Sequence, residues 1–249
     1  MKRTLTLTFL SLALGAAVFA SGRQEKPTGA LPTVDQILDK YVQAIGGKAA
    51  IQKQTSRVSK GTFDIPAMGA GGPITIYSKA PNKTLLVIEI AGFGTIQQAF
   101  NGTSAWAQDP QSGMRDLTGG ELAAAKREGE FYSDIKIKEM FTKLTVTGKT
   151  KVGSSEAYVI DAVPTTGEPQ KMYFDTQSGL MLRMDVTQES PQGKVPFEIY
   201  FENYKEVDGI KMPFLMRRNS PAISFTITVE EVKHNVPIDD AKFNKPASQ

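Results

Sequence analysis

Side chains able to do acid–base or metal chemistry are few and poorly grouped. The sole histidine, His234, stands beside Asn235 and Pro237 just after a long apolar–polar alternation. One imidazole with no serine motif beside it makes neither a three-ligand zinc site nor a catalytic triad, so a structural or surface role is expected. The chain has no cysteine, which removes thiol nucleophiles, iron–sulfur clusters and thiolate zinc sites. Carboxylates do come in pairs. Glu198 and Glu202 flank Tyr200 on one strand face, and Glu230 and Glu231 are adjacent. Such pairs can hydrolyse glycosides when they face each other at the right separation; on an alternating strand the simpler reading is a solvated face. Asp109-Pro110-Gln111-Ser112-Gly113 and Asp175-Thr176-Gln177-Ser178-Gly179 echo each other. Neither has the alternating acidic ligands of an EF-hand loop. Both read as hairpin loops in which Asp bonds the turn backbone and Gly takes a left-handed conformation. The glycine-rich run Met68–Pro73 has no Lys, Ser or Thr for a phosphate and opens no helix, so a mobile hairpin loop is expected. No nucleophile elbow, P-loop or dinucleotide fingerprint is present. The reading is a non-enzymatic protein without metal or cofactor.

The elements that position these residues are mostly strands. Period-two alternation recurs from Arg57 to His234 and predicts roughly ten to twelve strands. Ile74–Lys79, Leu85–Ile90, Ile96–Phe100, Leu144–Lys149, Ala157–Ala162, Lys171–Phe174, Leu180–Val186, Pro196–Tyr204 and Ser224–Glu231 are examples. Asn101-Gly102 and Asp208-Gly209 are tight-hairpin signals. Two stretches depart from the pattern. Val34, Ile37, Leu38, Tyr41, Val42 and Ile45 recur at helical spacing, with Thr33 as N-cap and Gly46-Gly47 as the stop. Glu121–Glu130 is rich in helix formers, and Phe131–Phe141 is ambiguous and can continue as a second helix.

The N-terminus reads as an export signal. Lys2 and Arg3 precede the uncharged run Leu5–Ala20, and Val18-Phe19-Ala20 places cleavage near Ala20–Ser21. The run is short for a spanning helix, and no Cys follows it for acylation. Residues 21–33 read as a flexible leader and residues 34–249 as one domain. The formal charge of the whole chain is +3. Removing the signal leaves 27 basic against 26 acidic side chains, and these are scattered, so nothing favours nucleic acid as a partner.

The C-terminal strands carry bulky apolar faces. Leu180, Leu182, Met184 and Val186 are expected on one face opposite Arg183 and Asp185. Phe197, Ile199 and Phe201 oppose Glu198, Tyr200 and Glu202. Ile223, Phe225, Ile227 and Val229 oppose Ser224, Thr226 and Thr228. Such one-sided strands build a large apolar interior. It is either an ordinary filled core or a partly filled cavity for a lipid. In the second case Leu182, Met184, Phe197, Ile199, Phe201, Phe225 and Ile227 are the expected ligand contacts. Met172, Met181 and Met184 add adaptable side chains.

The stretches Tyr173-Phe-Asp-Thr-Gln-Ser-Gly-Leu-Met-Leu-Arg183 and Tyr200-Phe-Glu-Asn-Tyr-Lys-Glu-Val-Asp-Gly-Ile-Lys-Met-Pro-Phe214 resemble the C-terminal half of the LolA/LolB-like superfamily of outer-membrane lipoprotein-sorting proteins. The closing Val232–Phe243 resembles their last strand and tail. The resemblance implies a mainly β (α+β) fold: an incomplete antiparallel half-barrel whose open side is covered by helices, here Val34–Ile45 and Glu121–Glu130. It also implies a periplasmic carrier for acyl chains of lipoproteins or lipids, of the soluble type. The alternative is an envelope interaction or sensor module with the same half-barrel filled, docking to an envelope protein. An enzyme using paired carboxylates, such as a glycosidase, is the third reading.

Overall fold

The computed structural model describes residues 30–190 and 193–247. The signal sequence and residues 21–29 of the leader read above lie outside the described residues. Thr33 caps the first helix, α1 (Val34–Ala44), through a reciprocal box: its hydroxyl accepts from the Gln36 amide at 3.2 Å, and its own amide donates to Gln36 Oε1 at 2.9 Å. Ile37, Leu38, Tyr41 and Ile45 form the buried stripe of that helix. A short helix α2 (Lys48–Gln52) follows.

Among the described residues thirteen strands then pair into one antiparallel sheet, one more than the upper expectation. The first six are β1 (Ser56–Ile65), β2 (Ala70–Lys79), β3 (Lys83–Ile90), β4 (Gly94–Phe100), β5 (Ala105–Asp109) and β6 (Gly113–Asp116). The rest are β7 (Phe141–Val152), β8 (Ser155–Pro164), β9 (Gln170–Asp175), β10 (Met181–Ser190), β11 (Gly193–Val207), β12 (Ile210–Asn219) and β13 (Ser224–His234). Two meanders, β1 to β6 and β7 to β13, are joined where β1 pairs with β13. The sheet stays open, with β6 and β7 as its edges. This is an open half-barrel, as expected.

The topology dictates where the helices go. The chain leaves the sheet at one edge, β6, and re-enters at the other, β7, so the connection must cross the open side. It does so as α3 (Gly119–Gly129), a 3-10 turn at Ser133–Ile135, and the single turn α4 (Ile137–Met140). Helix α3 touches β3, β4 and β5 as well as β10, which are distant in strand order. The segment after α3 is therefore not the continuous second helix that Phe131–Phe141 allowed: buried Phe141 already pairs with Pro164 as the first residue of β7.

Two turn expectations change. Asn101 does not sit inside a two-residue hairpin. Its Oδ1 accepts from the amides of Thr103 at 3.0 Å and Ser104 at 2.9 Å and holds a wider loop. The glycines of Met68–Pro73 are not a mobile loop either. Pro66–Met68 is a 3-10 turn and β2 begins at Ala70. A Cβ on Gly72 would lie 1.9 Å from the carbonyl oxygen of Glu89, so glycine here permits close strand contact. Asp208 and Gly209 do form a tight turn, both with positive φ (52° and 77°). His234 Nδ1 lies 2.9 Å from Asp208 Oδ2 beside that turn and its ring is buried, a structural role.

The helices define an inner face of the sheet. On the outer face of β1–β5 the C-terminal segment lies across the strands. The indole of Trp106 donates to the carbonyl of Phe243 at 3.0 Å, and Lys79 Nζ donates to that of Ile238 at 2.7 Å. Phe243 is fully buried against Leu85, Ala99 and Trp106.

Candidate ligand-binding cavity

Between the inner face and the helices lies a cavity of about 380 Å³. Its walls come from β1, β2 and β9 through β13, its cover from α1, α3, the 3-10 turn and α4. Six of the nine methionines line it: Met140, Met172, Met181, Met184, Met212 and Met216. A wall of unbranched thioether side chains adapts to a guest of irregular shape better than branched residues do.

Of the expected contacts, Met184, Ile199 and Phe201 line this cavity. Phe225 and Ile227 share its face but pack into a filled cluster with Phe63, Ile65, Ile74, Ile88 and Ile90. Phe197 packs edge-on to Phe225, ring centroids 6.2 Å apart. It borders a separate, more open groove of about 580 Å³ at the far end of β10–β12. Leu182 is elsewhere, and its assignment is corrected. The β9–β10 register shifts between Met181 and Arg183, so one extra residue is inserted and the side-chain alternation reverses. Met181 therefore joins Met184 inside, while Leu182 packs with Ala157, Val159 and Tyr173.

The cavity is not purely apolar. The charged side chains on its walls are Arg57, Arg127, Lys211 and Arg218, facing Glu128 and Asp134. Tyr41 O–H donates to Asp134 Oδ1 at 2.5 Å. Burial, then the charge of Asp134, pushes the Tyr41 phenol well above its ordinary value. Tyr204 O–H donates to the carbonyl of Met181 at 2.8 Å, and burial raises it too. Arg127 donates to the Thr166 carbonyl at 2.6 Å. The Arg57 side chain makes no hydrogen bond among the described residues; burial lowers it and the charge of Asp134 partly restores it. Glu128 stands on the cavity wall and keeps solvent-exposed surface. Burial raises its carboxyl, with Arg218 and Arg127 pulling the other way.

Arg218 is the least satisfied of these. One N–H group reaches Gln188 Oε1 at 3.2 Å, and its Nε is buried with no partner. The guanidinium lies 4.9 Å from the Phe197 ring and 5.4 Å from the Phe225 ring. Sequence reading missed this cluster. Its signal was present: Arg218 shares strand parity with Met212 and Met216, and Arg57 with Phe63 and Ile65, so both sit at inward positions of alternating strands.

The carboxylates considered for hydrolysis lie outside. Arg183 Nη2 is 2.5 Å from Glu198 Oε1, and Arg217 clasps Glu202 with two bonds of 2.7 and 2.9 Å. Asp109 and Asp175 each accept two backbone amides of their own loop, at 2.6–2.8 Å, which is turn chemistry. No group of His, Asp or Glu among the described residues is arranged to hold a metal ion. No described helix is long and apolar enough to cross a membrane.

Solved structures share this fold. A DUF1329 family protein from Desulfovibrio piger superposes with a TM-score of 0.58 at 16% identity, over 86% of this chain and 98% of its own. A LolA superfamily protein from Nitrosomonas europaea does so with a TM-score of 0.56 at 13% identity, over 86% and 99%. At such identities the likeness is one of fold, and the chain has a LolA-like fold. No family model and no curated protein matches the sequence.

Proposed function

We propose that the chain is a carrier or binding protein for acyl chains, of lipoproteins or of lipids, acting in the periplasm after its signal peptide is removed. The observation that carries this reading is the methionine-lined cavity, walled by one sheet and covered by helices from two separate parts of the sequence. A packed core of this size leaves few voids larger than a water molecule; here about 380 Å³ is open. That lies within the ~300–1,000 Å³ of small-molecule sites. Burying an acyl chain is worth about 0.8 kcal/mol per methylene, so a dozen methylenes offer roughly 10 kcal/mol before association costs. The site therefore works by burial and needs no catalytic group.

The test is native mass spectrometry of residues 21–249 purified gently from the periplasm, with organic extraction of any adduct. A stoichiometric adduct identified as a lipid or an acylated peptide is expected. A mass that stays free after incubation with lipids and acylated peptides overturns the carrier reading and leaves docking to an envelope protein.

A further inference from the structure

Resting on the acyl-chain reading, we infer that the occupant is a single-chain amphiphile with an anionic oxygen head, a carboxylate or a phosphate monoester, seated on Arg218. Three observations converge. The cavity volume of about 380 Å³ is roughly a dozen times the ~30 Å³ share of one water molecule, room for one chain and not several. The charged walls carry four cationic side chains against two carboxylates. And the guanidinium of Arg218, held on two aromatic rings, has only Gln188 as a hydrogen-bond partner among the described residues. A buried guanidinium short of acceptors is costly, and a carboxylate or phosphate matches its fork with two parallel bonds.

Other acceptors on the walls are already engaged or held off. Asp134 takes the Tyr41 hydroxyl. Glu128 influences Arg218 through space, but the two form no ion pair. An incoming anionic oxygen thus supplies what the protein leaves out. The apolar tail then runs along Met184, Ile199, Phe201 and Met216, which share the inner face with Arg218. A neutral ester or a diglyceride anchor satisfies the tail contacts alone.

The experiment measures binding of four probes to the mature chain by isothermal titration or native mass spectrometry: palmitate, hexadecyl phosphate, methyl palmitate and inorganic phosphate. One or both anionic long-chain probes should bind about tenfold or more tighter than methyl palmitate, the effect of a charge-assisted hydrogen bond. Which of the two is tighter separates a fatty acid from a lysolipid phosphate. Arg218→Gln should bring the anionic probes to within about twofold of the ester, and Arg218→Lys should keep part of the preference. Equal binding of ester and anions by the wild-type chain overturns the anionic head and leaves the acyl carrier standing. Inorganic phosphate binding as tightly as hexadecyl phosphate overturns the amphiphile. Binding of no probe overturns both readings. The wild-type comparison decides even if a variant fails to fold.

Discussion

Arg217 and Arg218 are neighbours in sequence and opposites in circumstance. On the outer face Arg217 meets Glu202 in two hydrogen bonds and lies 4.8 Å from the Tyr200 ring. Two strands away Arg183 is shared by Asp185 and Glu198, with Tyr173 and Tyr200 alongside. Burial alone would lower Arg183, but these acidic partners outweigh it and raise it. On the inner face Arg218 has one side-chain acceptor and a stranded Nε, and burial lowers it. The two outer arginines meet carboxylates of the protein, and Arg218 meets none. A fold that supplies acceptors so fully on one face could supply them on the other. That it does not is what sets Arg218 apart from the structural ion pairs of the outer face.

The contrast predicts opposite signs when the charges are removed. The largest effect should come from Arg218→Met combined with Glu128→Gln. This strips the cavity wall of two charges that form no ion pair with each other. Replacing buried, poorly compensated charges by side chains of similar volume is often stabilising by about 1–4 kcal/mol. Because Glu128 keeps solvent-exposed surface and Arg218 is only partly buried, the gain should lie at the low end, about 1 kcal/mol. Urea unfolding should show a higher midpoint with an unchanged slope. A loss of stability would mean that the inner charges compensate each other well, and the asymmetry between faces would fall.

Next in size is Glu128→Gln alone, and pH identifies it. Burial raises the Glu128 carboxyl above its ordinary value of 4.5, so the native chain holds this proton more tightly than the unfolded chain does. The stability it contributes is complete below pH 4.5 and is lost as pH rises through the native value. The glutamine variant loses nothing over that range. Its advantage over wild type should be near zero in acid and grow towards neutral pH. Carboxylates that are lowered by their partners, such as Asp109 and Asp175, are present in both proteins and cancel. An advantage that is flat in pH would show that the Glu128 carboxyl is not raised.

Much of this architecture could be read from residue order. The Thr33–Gln36 cap, the stripe of α1 and the two Asp-to-Gly loops are local, and each is dictated within a few residues. Period-two alternation marked nearly every strand. What stayed hidden depends on partners distant in sequence. The register shift beside Leu182 arises from pairing with β9, and it alone moves Leu182 off the inner face and Met181 onto it. The glycines of β2 looked like a loop because the backbone they approach, at Glu89, lies on another strand. Phe225 and Ile227 looked like Ile199 in pattern. Whether an inward side chain meets a cavity or a packed neighbour is decided by β1–β3, which close over one stretch of β13 and not over β11. The inward arginines were visible by parity, yet a charge on an apolar face has meaning only once the cavity it faces is known.

The smallest expected effect completes the comparison. Arg217→Met removes the outer pair with Glu202, whose side chains are 40% and 39% exposed. Solvent screens such a pair, so the loss at pH 7 should be only about 0.5 kcal/mol. Its pH dependence should run against that of Glu128→Gln. The Arg217 hydrogen bond holds the Glu202 carboxyl below its ordinary value of 4.5. The stability this contributes is present above pH 4.5 and disappears as pH falls through the native value. Wild type and Arg217→Met should therefore differ at pH 7 and converge in acid. Urea melts at pH 7 and pH 3 measure both arms. A difference that persists unchanged at pH 3 would locate the contribution of Arg217 in its packing on Tyr200 instead of its charge.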